Sequence, residues 1–125
     1  MSEWVKYYLP TFEEDLEKCQ HIPQEKLNKF ISDLIKNPKV LKNAHDLQGP
    51  LKPLWTAHFN PGGTTYCVLY FICDGVAEQC FLRRGIEKFL PDSENIRSLI
   101  AHTCSKDKKK IYFFRFGTHK IYNIL

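Results

Sequence analysis

The side chains of this chain with the widest chemical use are its five histidines, because an imidazole with an ordinary pKa of about 6.5 both gives and accepts a proton near neutral pH. His21, His45 and His102 are isolated, with no partner at ligand or catalytic spacing, and are assigned no role. His58 belongs to the alternating segment Leu54 to Phe59, and His119 to the stretch Gly117 to Tyr122, which reads GTHKIY. Thiol and metal chemistry find less support. The five cysteines (Cys19, Cys67, Cys73, Cys80 and Cys104) form no CxxC pair and have no neighbouring His at zinc spacing, so no metal ligand and no cofactor are expected. They read as reduced cytosolic thiols that fill a core. Gly62 and Gly63 precede no helix, which argues against a phosphate-binding loop.

Elements that position these residues follow from periodicity. Trp4 to Leu9 reads as a strand stopped by Pro10. A helix follows, with Thr11 and Glu14 as a capping box and Phe12, Leu16 and Cys19 on one face. Pro23 opens a second helix whose stripe is Leu27, Phe30, Ile31, Leu34 and Ile35, ending at Asn37 and Pro38. The short linker around His21 and Ile22 predicts an antiparallel helical hairpin. Trp55, Ala57 and Phe59 alternate with Thr56 and His58, the mark of a half-buried strand. After a turn at 60–63, Thr65 to Cys73 is apolar on both faces, as a central strand is. Tyr70 reads as core. Val76 to Arg84 fits strand or helix, Ser93 to Cys104 reads as a helix, and Ile111 to Gly117 is a last strand.

The chain of 125 residues suits one domain, and an apolar fraction of 43% against 26% charged is ordinary for a globular fold. The longest apolar run, Cys67 to Cys73, is too short to cross a bilayer, and the first twenty residues lack the features of a signal peptide, so a cytoplasmic location without membrane contact is expected. The charge is uneven: residues 1–50 carry seven Lys against eight acids, and residues 51–125 eleven Lys plus Arg against six. The basic half suits a phosphate-bearing or acidic partner. Lys106 to Lys110 form either part of such a surface or a solvated loop.

Three short stretches, in order, carry a resemblance: Leu47, Gly49, Leu51, Leu54 and Trp55; then Tyr66 to Tyr70; then GTHKIY at Gly117 to Tyr122. Together with the two helices before them they resemble the RelE/ParE superfamily of toxins from toxin-antitoxin pairs, over about three quarters of the chain. The resemblance implies an α+β fold in which an N-terminal antiparallel helical hairpin packs on a twisted, mainly antiparallel four-stranded sheet. Residues 1–125 then make one domain, with a partly helical insertion at 76–107 before the last strand. It implies a cytoplasmic toxin, held by a cognate antitoxin, that is either a RelE-like endonuclease cutting mRNA in the ribosome or a noncatalytic ParE-like toxin acting on DNA gyrase. A nucleic-acid- or antitoxin-binding domain without catalysis is the remaining alternative, because shared fold does not choose among them.

For the endonuclease, the resemblance implies metal-free acid/base chemistry by His58, His119 and Tyr122, with His58 as base and His119 as acid or the reverse. Arg115 or Lys120 would hold the phosphate, Tyr66 or Tyr122 would stack on a base, and Lys52 would add a phosphate contact. Lys108, Lys109 and Lys110 complete the RNA-binding set. Cys67 stands where the family supplies Arg, and Thr56 where another basic side chain is frequent. A phosphate clamp therefore comes from Arg115, Arg83, Arg84 or the lysines at 108–110, or the chain does not cut RNA.

Overall fold

Two strands rich in aromatic and branched residues, Tyr66–Cys73 and Lys110–Gly117, form the spine of the molecule. The computed structural model describes residues 4–39, 44–75, 89 and 109–123. In chain order these form β1 (Val5–Tyr8), α1 (Pro10–Lys18), α2 (Gln24–Lys36), β2 (Ala44–Asp46), β3 (Trp55–Phe59), β4 (Tyr66–Cys73) and β5 (Lys110–Gly117), with 3-10 turns at Gly49–Leu51 and His119–Tyr122. The strands make one sheet in the order β1-β5-β4-β3-β2.

This sheet corrects the expected four-stranded, mainly antiparallel one. It has five strands and is mixed, because β1 runs parallel to β5 while β2, β3, β4 and β5 pair antiparallel in turn. The extra strand is β2, three residues long, half-buried to exposed, and bound to β3 with His45 opposite Thr56. A segment that short and polar carries no alternation to read. The parallel pair is non-local, joining Tyr8 to Phe113, and no local pattern announces it.

The expected helical hairpin on a four-stranded sheet is also corrected: α1 packs along β5, and α1 and α2 make no contact of comparable extent with each other. Leu27, Ile31 and Leu34 of α2 share one core with Phe12 of α1, Ala57 of β3, Val68 and Tyr70 of β4 and Phe113 of β5. Each such side chain, once fully buried, contributes about 1.5–3 kcal/mol. A second cluster, on the opposite face, gathers Cys67, Leu69, Phe71, Tyr112 and Phe114 with Leu54 and Ile121. The strict alternation along β4 between these two clusters is the period-2 geometry of a strand buried on both sides.

α1 begins at Pro10, whose fixed φ and missing N–H suit a first helical position, and Leu9 is its N-cap without a side-chain bond. The capping box at Thr11 and Glu14 is therefore not formed. The Thr11 hydroxyl instead donates to the Phe114 carbonyl at 2.8 Å. Asp15, 7% exposed, accepts from the Phe116 amide at 3.0 Å and from Arg115 at 2.6 Å. Beyond Phe113 the ladder with β1 has ended, and α1 satisfies the β5 backbone groups that a bare edge leaves unpaired. The expected insertion at 76–107 lies outside the described residues, apart from Phe89, which is buried against Phe71 and Phe114 with ring centroids 6.2 and 6.3 Å away.

Candidate functional site

The β3–β4 hairpin sets the first half of the site. Asn60 accepts the Gly63 amide at 2.8 Å through its side chain, and Gly63 takes a left-handed φ of 98°, which closes the loop so that Phe59 opposes Tyr66 and His58 opposes Cys67. The second half comes from β5. Its last residue, Gly117, lies opposite Cys67, and the chain then folds back in the His119–Tyr122 turn, tied by Ile121 N–H to the Thr118 carbonyl at 3.0 Å. A Cβ at Gly117 would sit 2.9 Å from Cγ2 of the buried Ile121, so glycine is what lets the turn close this tightly.

The result is a row of rings. His45 stacks on His58 with centroids 6.1 Å apart, His58 and His119 are 5.5 Å apart, and His119 and Tyr122 are 5.7 Å apart. Beneath them Cys67 is fully buried, and the donor atoms of His58, Cys67 and His119 all lie within 4.8 Å of one another. The Tyr122 and Thr56 hydroxyls are 2.6 Å apart. Burial pushes the Tyr122 phenol up to about 12, lowered in part by Thr56, so it is a neutral phenol at physiological pH. Burial likewise pushes the Cys67 thiol up, with the neighbouring Tyr122 hydroxyl opposing it, and a buried protonated thiol is a poor nucleophile.

Of the residues singled out from the sequence, His58, His119 and Tyr122 come together and Lys120 is exposed in the same turn. The others lie elsewhere. Arg115 is held by Asp15, with Nε 2.6 Å and Nη2 3.4 Å from its carboxylate oxygens. Tyr66 is buried on the helix-bearing face, its hydroxyl 2.8 Å from Nε2 of His21 and its ring stacked on Phe116. Lys52 is exposed after the Gly49–Leu51 turn. Lys109 lies over the Trp4 ring and Lys110 is a buried first residue of β5, at the opposite end of that strand from Gly117 and roughly 24 Å away by strand rise. Lys108 lies outside the described residues.

Sequence reasoning missed three members of the site: His45, Thr56 and Cys67. Cys67 needed the register to be known: the turn expected at 60–63 is a loop from Asn60 to Thr65, and only that length puts positions 58 and 67 opposite each other. His45 needed β2 to be known. No protein-family model matches the chain, and no curated protein or solved structure matches it. Among the described residues no helix is long and apolar enough to cross a membrane.

Proposed function

We propose that the chain is a toxin of the RelE-like kind, a ribosome-dependent endoribonuclease restrained by a cognate antitoxin, with His58 and His119 as its acid/base pair. The observation that carries this reading is the 5.5 Å separation of the two imidazole rings, one half-buried and one exposed. Two such rings reach oxygens of a single phosphodiester laid across them. One takes the proton of the ribose 2′-OH as the 2′-oxygen bonds to phosphorus, and the other gives a proton to the departing 5′-oxygen. The products are a 2′,3′-cyclic phosphate and a 5′-hydroxyl. Lys120, beside His119, supplies the cation for the phosphorane, and the neutral Tyr122 phenol, packed against His119, orients that ring.

A second reading has an observation of its own. Arg115, one of the sequence candidates for a phosphate clamp, is engaged with Asp15, and Cys67 offers no replacement charge. This favours a noncatalytic, ParE-like toxin. Induced expression in a bacterial host separates the two: growth arrest with new transcript cuts, lost in the His58→Ala, His119→Ala double variant, supports the nuclease. Arrest with intact transcripts and damaged DNA supports the second reading and removes the first.

A further inference from the structure

We infer that His58, Cys67 and His119 form a binding site for a single transition-metal ion of the zinc class, and that filling it withdraws both imidazoles from proton transfer. The second half rests on the proposed function; the first does not. Among the described residues this is the one group of three or more His, Cys, Asp or Glu side chains close enough to hold a metal ion together. Its three donors come from three elements, β3, β4 and the turn after β5, and only the sheet register unites them.

The donor set selects the class of ion. Two imidazole nitrogens and one sulfur suit zinc and its borderline neighbours, whereas magnesium and calcium require oxygen ligands that this trio lacks. Tetrahedral zinc, with Zn–N of about 2.0–2.1 Å and Zn–S of about 2.3 Å, needs donors roughly 3.3–3.6 Å apart. Here all three are within 4.8 Å, so a closure of at most about 1.2–1.5 Å completes the set. His119, exposed on a four-residue turn, is the ligand free to make that movement, while His58 and Cys67 are fixed as cross-strand neighbours. The exposure of His119 leaves a fourth position to solvent.

The surroundings also fit. Metal-ligating groups are oriented by outer partners, and here the Tyr122 ring packs against His119 while its hydroxyl is held by Thr56 at 2.6 Å. Binding forms two Zn–N bonds and one Zn–S bond and releases the Cys67 thiol proton to solvent, with no change of oxidation state. Because each imidazole then donates its lone pair to the ion, neither remains a general base.

The test uses the full chain, stripped of metal and without RNA. Zn²⁺ is titrated against a chromophoric chelator, and Co²⁺ serves as a spectroscopic probe of the ligands. The expected result is one Zn²⁺ per chain and a cobalt–thiolate charge-transfer band. Affinity should fall by about tenfold or more in His119→Ala and by about a hundredfold in Cys67→Ser, both checked for fold by circular dichroism. Absence of one-to-one binding, or binding that both variants retain unchanged, overturns the site. In a cleavage assay one equivalent of Zn²⁺ should stop wild type and a chelator should restore cutting; cleavage by protein shown to hold zinc overturns the inhibitory half alone. Zinc binding by a chain that never cuts RNA upholds the site and removes the nuclease.

Discussion

His58 and Cys67 face one another across the β3–β4 ladder, and Gly117 faces Cys67 from the other side. The thiol is thus the middle rung of three strands, and the His119 turn is delivered over it by the strand that ends at Gly117. The cluster of His58, Cys67 and His119 follows from that one register.

Gly117→Ala tests how closely the turn depends on it. The new Cβ, 2.9 Å from Ile121, forces the His119–Tyr122 turn outward at a cost of about 1–3 kcal/mol. Zinc affinity and RNA cleavage should both fall while circular dichroism stays native. Unchanged values for both show that the turn tolerates a side chain and does not set the site.

Asp15 ties α1 to β5. It is nearly buried and accepts from Arg115 and from the Phe116 amide, so Asp15→Ala strands a guanidinium and a backbone donor and should cost about 2–4 kcal/mol in urea unfolding. Arg115→Met, which keeps the apolar stem, should lose less and should cut RNA at the wild-type rate per folded molecule. A large fall in its cleavage rate with native stability returns Arg115 to the phosphate.

Tyr70 gives a pH signature. Its hydroxyl donates to the Pro38 carbonyl at 2.7 Å, and burial pushes the phenol above the usual tyrosine range. A raised folded-state value means the contribution is whole below the unfolded tyrosine pKa of about 10 and is lost as pH climbs above it. Wild type should therefore lose stability above about pH 10, and Tyr70→Phe, weaker by about 1 kcal/mol at neutral pH, should lose it less steeply. Parallel alkaline profiles in urea titrations contradict this.

Much of the frame was legible because it is local. The α2 stripe at Leu27, Ile31 and Leu34 is buried as its 3.6-residue period requires, and Thr56 and His58 lie on the face of β3 opposite Trp55, Ala57 and Phe59. The parallel β1–β5 pair, the three-residue β2 and the five-stranded order were not legible, because they depend on contacts distant in sequence. Thr11 looked like a cap and instead bonds β5, a case of tertiary contact overriding a local motif. For the site, His58 and His119 were visible as imidazoles in special segments. Their meeting above Cys67 depends on a hairpin register and on the chain reversal after Gly117.

The most direct test of the acid/base pair is the chemistry of the cut ends. Transcripts cleaved by the purified chain on translating ribosomes are sequenced by methods that distinguish 5′-hydroxyl from 5′-phosphate ends, with His58→Ala and His119→Ala alongside. Attack by the ribose 2′-oxygen predicts 5′-hydroxyl and 2′,3′-cyclic phosphate ends from wild type, and loss of cutting in both variants. Ends bearing 5′-phosphate and 3′-hydroxyl, or cutting undiminished in the two variants, contradict it.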